Sequence, residues 1–259
     1  RDNDSRDYWS ASWQPVGKNL KDYKSKCCHG IGYTRISATY DDIESEASYY
    51  VPLGKCYEIW GLTVTNRSAV PKNLTLTGYA EFTNHSNYEQ DQINLQYSLF
   101  ITKTLFEKNQ IIQQIHSNLD ALSENEQVDE KNVIERFFGL AGADVASYCG
   151  DKEHFLGKYH GYNNPQGITS GNLGNITSYN ENSCGALSCV ISLAPNETKT
   201  VVFVLGPGGL DKVSSILASY ADPANQLHKE IRELKSYWED KLGHLKVNTP
   251  SPQFNTMIN

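Results

Sequence analysis

The residues best suited to holding a ligand are Tyr159, Tyr162, Asn163 and Asn164, inside a stretch rich in Gly, Asn, Ser and Tyr that runs over residues 150–184. The two phenol rings can stack on an apolar ligand face, and the two amides can bond polar groups at its edge, the usual division of labour in a concave site. A loop of that length inside a domain is usually functional or mobile. The acidic residues Asp41, Asp42, Asp144, Asp151 and Glu153 fall at turns or near strand ends, where they read as solvated turn groups. Gly206, Pro207, Gly208 and Gly209, just before a helix starting near Leu210, superficially suggest a phosphate cradle of backbone N–H groups, but a plain turn is the better reading. The six cysteines, Cys27, Cys28, Cys56, Cys149, Cys184 and Cys189, have neither the paired spacings of a zinc site nor the density of a disulfide scaffold. Reduced, mostly buried thiols and no metal are expected. Of the histidines, His29 reads as a structural residue at a strand start.

These residues need a rigid frame, and the pattern from Tyr33 to Phe82 supplies one. Apolar side chains recur every second position at Ile36, Ala38 and Tyr40, at Ala47, Tyr49 and Val51, at Trp60, Leu62 and Val64, and at Leu74, Leu76 and Ala80. That alternation predicts strands with one face inward. Turn chemistry at Asp41 and Asp42, at residues 52–54 and at residues 66–68 spaces them about ten residues apart, as in an antiparallel sandwich. Further strands are expected from Leu95 to Leu105, from Phe137 to Tyr148 and from Val190 to Leu205. Residues 117–131 carry many acids and few large apolar groups, which predicts an exposed loop. At Asp222 and Pro223 the period changes: a capping carboxylate and a first-turn proline precede Leu227, Ile231, Leu234, Trp238 and Leu242, one helical stripe that Gly243 ends.

A net charge of −7 argues against a nucleic-acid partner, which requires clustered Lys and Arg. No apolar run nears the roughly 20 residues that cross a bilayer, and the first residues do not form a signal peptide. Asn-X-Ser/Thr sequons such as those at Asn66, Asn73, Asn84, Asn175 and Asn196 would matter only in a secreted chain.

The string Asp7-Tyr8-Trp9-Ser10-Ala11-Ser12-Trp13-Gln14-Pro15-Val16 forms an aromatic corner expected to plug the core. With His29-Gly30-Ile31-Gly32-Tyr33-Thr34, Tyr50-Val51-Pro52-Leu53-Gly54, Glu58-Ile59-Trp60, Val64-Thr65-Asn66 and Tyr79-Ala80-Glu81-Phe82, it resembles the amino-terminal domain of the inverting phosphorylases of glycoside hydrolase family 94. Residues 87–97 and Phe137-Phe138-Gly139-Leu140-Ala141-Gly142 are closer to the cellodextrin than to the cellobiose members. The resemblance implies a mainly β fold, an antiparallel supersandwich of the galactose-mutarotase kind over residues 1–209. A helical linker over 210–248 would follow, then the start of the first helix of a catalytic (α/α)6 barrel at 249–259. It implies an interior piece of a larger cytoplasmic enzyme, with no catalytic residue in this segment because the general acid lies in the barrel.

The implied reaction is reversible phosphorolysis of β-1,4-glucans to α-D-glucose 1-phosphate, with inorganic phosphate as co-substrate and no cofactor. The sandwich would support the barrel, a homodimer and part of the substrate cleft, through Tyr159, Tyr162, Asn163 and Asn164. Arg136 resembles a basic position near the acceptor site. The alternatives are another specificity (cellobiose, laminaribiose or β-1,2-glucan) and a non-catalytic carbohydrate-binding sandwich.

Overall fold

A computed structural model describes residues 1–83, 101–116, 133–244 and 246–258. Eight of the strands form one antiparallel sheet in the order β1 (Lys24–Gly30), β2 (Tyr33–Tyr40), β3 (Ile43–Tyr50), β4 (Glu58–Asn66), β11 (Thr198–Pro207), β8 (Val133–Ala141), β7 (Gln110–His116) and β6 (Thr102–Glu107). A smaller sheet, β5 (Lys72–Glu81), β10 (Ser183–Leu193) and β9 (Ser147–Asp151), packs against it. The predicted alternation is therefore realised as a sandwich. Asp41 and Asp42 both adopt positive φ, +48° and +56°, the two-residue turn whose twist suits a hairpin.

The core between the sheets holds Ile43, Val64, Phe138, Leu140, Val201 and Phe203 from the large sheet and Leu74, Leu76, Leu187, Cys189 and Leu193 from the small one. The outer face of the large sheet is covered by α3 (Leu210–Ala218), α4 (Pro223–Leu242) and Tyr220 between them, which bury Val213, Ile216, Leu227, Ile231 and Leu234 with the Tyr220 ring against Tyr50, Ile59, Phe137, Val202 and Val204. Strand β11 is thus sandwiched on both sides. That explains its unbroken apolar run over residues 201–205, since alternate residues serve two different cores. The α4 stripe docks on the sheet through three buried residues, each worth about 1.5–3 kcal/mol, and Leu242 at its end stays exposed. Gly61 permits the approach: a Cβ there would lie 2.5 Å from Leu227 Cδ1. Asp222 accepts from Asn225 N–H and Pro223 opens the helix, as the sequence predicts.

Several expectations need correcting. His29 lies inside β1, whose hairpin turn follows it, so it ends a strand instead of starting one. Val51 falls beyond β3 and is exposed. The strand expected from Phe137 to Tyr148 is two strands, broken where Gly142 takes φ +87°. Three cysteines, Cys27, Cys28 and Cys56, are exposed and three are buried; all six are free. The expected strand from Leu95 is described only from Thr102, and the acidic stretch at 117–131 lies outside the described residues. A short helix, α5 (Pro252–Ile258), ends the chain without burying a residue.

Candidate functional site

Residues 150–184, read as one long loop, carry structure of their own. Strand β9 runs into α1 (Lys152–Leu156), whose first turn is capped by Asp151, its side chain accepting from His154 N–H at 2.7 Å. A second short helix, α2 (Gln166–Ser170), follows. Together they bury Phe155 and Leu173 with Cys149, Cys184 and Ala186 on the outer face of the small sheet, where Phe155 stacks on Tyr79 with centroids 4.3 Å apart. Enough apolar side chains are spaced along the stretch to build a small second core, which a reading by composition alone misses.

Between the two helices, residues 157–165 form a tightly bonded turn. Gly157 closes α1 at φ +83°, a conformation that costs glycine nothing. Asn164 is the centre of the turn. Its side-chain oxygen accepts from Gly161 N–H at 2.9 Å, its own N–H donates to Gly161 O at 3.1 Å, and its carbonyl receives the Nδ1–H of His160 at 2.7 Å. The Asn164 amide oxygen therefore shapes the loop; the expected role of bonding a ligand hydroxyl is left to its NH2 group and to Asn163, which is exposed.

Tyr162 is not a free platform either. Its hydroxyl donates to Glu81 Oε1, which also accepts from Tyr79 at 3.0 Å, while Lys152 Nζ donates to Glu81 Oε2 at 2.9 Å and sits 5.6 Å from the Tyr162 ring centroid. Glu81, at the end of β5, thus latches the loop to the sandwich. The residue that the latched loop holds out is Tyr159: it is fully exposed and takes φ +63°, a conformation rare for a bulky side chain and a mark of strain at functional sites. Arg136 lies on the same rim. It reaches across from β8 to donate to the carbonyl of Thr83 at 3.3 Å, just past the end of β5, and to Gln113 Oε1 at 3.2 Å, so it ties the two sheets together there. Glu81, Lys152 and Tyr79 were not singled out from sequence. The signal was present: Tyr79 and Glu81 stand two apart in a strand and so share a face.

Partial burial raises the Glu81 carboxyl, but the bonds from Tyr162, Lys152 and Tyr79 and the charge of Lys152 outweigh it and hold it below the usual carboxylate range. An ionised carboxylate with three donors has no proton to give, so Glu81 is a structural anion and not a general acid. Because its folded pKa is depressed, the latch contributes stability that is fully present above the unfolded value near 4.3 and is lost as pH falls through the folded one. Amide exchange over residues 158–164, corrected for intrinsic rates, is therefore expected to be slow at pH 7 and to speed up as pH falls through the depressed Glu81 value, and Glu81→Gln to speed it already at pH 7. Equal protection at pH 7 in the wild type and the Gln variant would refute the latch.

The glycine turn at 206–209 does not make a phosphate cradle. Gly208 N–H donates to the carbonyl of Glu135 at 2.9 Å, and the Glu135 carboxylate packs against Gly209, so a negative charge already faces the first turn of α3. Among the described residues no three His, Cys, Asp or Glu side chains gather as a metal site, and no helix is long and apolar enough to cross a membrane.

The chain is 30% identical, over its whole length, to an N,N'-diacetylchitobiose phosphorylase of Vibrio proteolyticus, of which it spans 31%. It is 24% identical over its whole length to a solabiose phosphorylase of Paenibacillus borealis, spanning 32% of it. Over 89% of the chain it is 28% identical to the cyclic beta-(1,2)-glucan synthase NdvB of Rhizobium meliloti (strain 1021), spanning 8% of it. The chain thus covers about a third of the phosphorylases it matches. The family described as the glycosyl hydrolase 94 supersandwich domain matches residues 1–237, and with an antiparallel sandwich over that range the chain belongs to this family.

Proposed function

We propose that this chain is the amino-terminal sandwich of a cytoplasmic inverting phosphorylase of the cellodextrin type. In that reaction phosphate attacks the anomeric carbon at the non-reducing end of a β-1,4-glucan, and a carboxylic acid outside this chain protonates the leaving oxygen. The products are α-D-glucose 1-phosphate and a shortened acceptor; no cofactor takes part. The family match over residues 1–237 and relatives named as phosphorylases along the whole chain support the phosphorylase part of the reading; the cellodextrin type rests on the resemblance of residues 87–97 and 137–142. The sandwich's part is to support a barrel and a homodimer and to present the rim, Tyr159 foremost, to the cleft. Tyr162 and Asn164 keep Tyr159 in place, Asn163 and the Asn164 NH2 group face the sugar's hydroxyls, and Arg136 holds the rim closed beside the acceptor.

The names of the relatives favour a second reading, a phosphorylase of the same family with another sugar or linkage. One assay separates them. The full-length enzyme is given α-D-glucose 1-phosphate or α-N-acetylglucosamine 1-phosphate with cellobiose, glucose or N-acetylglucosamine as acceptor, and phosphate release is followed. Release from glucose 1-phosphate with cellobiose is expected. Release only from the N-acetylated donor, or only with glucose or N-acetylglucosamine as acceptor, selects the second reading, and no release with cellobiose overturns the first.

A further inference from the structure

Three of the six thiols are exposed, and one of them has a base beside it. Cys27 and His29 stand two apart in β1 and so share a face, and Thr34 of β2 pairs directly with His29 on that same face. Cys27 Sγ lies 3.3 Å from His29 Nε2, and His29 Nδ1 lies 2.9 Å from Thr34 Oγ1. Cys28 turns to the opposite face by the same alternation, away from the imidazole. Cys56 receives a bond from Lys212 Nζ at 3.6 Å, and an ammonium cannot take a proton.

With the ring proton on Nδ1 and Thr34 Oγ1 accepting it, Nε2 is left bare to take the Cys27 proton, giving a thiolate beside an imidazolium. A nucleophile, a base within hydrogen-bond reach and a third group that orients the base form the arrangement that activates a thiol. Neither side chain fills a core: six of the seven residues of β1 are exposed, and the strand is an edge of the large sheet, so a reagent can reach it. The strand carries Lys24 and Lys26 and no carboxylate, while Glu44 and Glu46, two strands away, are paired with Arg67 and Arg35. The local charge therefore favours an anionic reagent.

We propose that Cys27 is a modification site, thiolated by a low-molecular-weight anionic disulfide of the glutathione type, with His29 as its base and Thr34 orienting the ring. His29 Nε2 takes the Cys27 proton, and the thiolate attacks one sulfur of the disulfide. The new S–S bond to Cys27 forms as the reagent's S–S bond breaks, and the departing thiolate takes the proton from the imidazolium. One thiol and one disulfide enter, one mixed disulfide and one thiol leave, and no other oxidant is needed. The site is independent of which sugar the enzyme uses.

Oxidised glutathione added to the full-length enzyme at pH 6 tests it, with the adducts followed by peptide mass spectrometry in the Cys28→Ser and Cys27→Ser variants. An ordinary thiol is almost wholly protonated at that pH. Cys27, measured in Cys28→Ser, is therefore expected to react about tenfold faster than Cys28, measured in Cys27→Ser. Adding His29→Gln should remove the advantage, Thr34→Val should reduce it, and Thr34→Ser, which keeps the hydroxyl, should preserve it. Equal rates at the two cysteines, or a Cys27 rate unchanged by His29→Gln, would overturn the proposal.

Discussion

Replacing Glu230 by alanine is expected to cost about 3 kcal/mol of stability. Glu230 stands on the face of α4 that meets the large sheet, and its carboxylate accepts from Tyr50 at 2.7 Å, from Tyr220 at 3.0 Å and from Gln226 at 2.8 Å. Tyr50 and Tyr220 are almost wholly buried, and burial followed by the Glu230 charge pushes both phenols well above their usual value, so they remain donors. Truncation leaves two buried hydroxyls without an acceptor, at a cost far above the net worth of the bonds themselves. For a domain of this size the melting temperature should fall by about 6–12 °C. Glu230→Gln keeps an acceptor oxygen and should lose less than half as much. A melting temperature unchanged in the alanine variant would mean that α4 is not fastened to the sheet at this point.

Phe138→Ala is the second large effect, roughly 4 kcal/mol by denaturant unfolding. Phe138 is fully buried on the inner face of β8, stacked on Phe203 at 5.6 Å and edge-on to Trp60 at 5.3 Å. Gly185 on the facing sheet leaves room for it: a Cβ there would lie 2.7 Å from that of Phe138. The ring therefore joins the two sheets at a point where neither backbone can move to close a void. Phe138→Leu should cost about 1.5 kcal/mol or less, since most of the volume is kept. If the alanine variant lost no more than the leucine one, the sheets would be able to collapse and the stacking would carry no weight.

The hairpins and α4 were legible because their signals are local. Period-two alternation from Tyr33 to Phe82 and the four-three-four-four stripe from Leu227 each report a face that one neighbouring layer must cover. Turn chemistry at Asp41 and Asp42 marked the break between two of these strands. What lay hidden was contact between distant residues. Glu81 and Tyr162 are 81 positions apart, and nothing local says that a strand-end carboxylate will hold a loop hydroxyl. Asn164 looked like a ligand group because an amide in a polar loop has the same composition whether it serves a sugar or its own backbone. Arg136 likewise turned out to bridge two sheets through Thr83, a pairing fixed by topology alone.

The account rests on the latched loop offering Tyr159 to a sugar in the assembled enzyme, and Tyr159→Ala measures that directly. In the full-length protein the KM for the acceptor should rise about tenfold, the equivalent of about 1.4 kcal/mol of lost ring contact, with the melting temperature unchanged because the side chain touches nothing in the sandwich. Tyr159→Phe should restore the wild-type KM. An alanine variant with unaltered KM and kcat would contradict the account, since the most prominent residue of the rim would then lie outside the cleft.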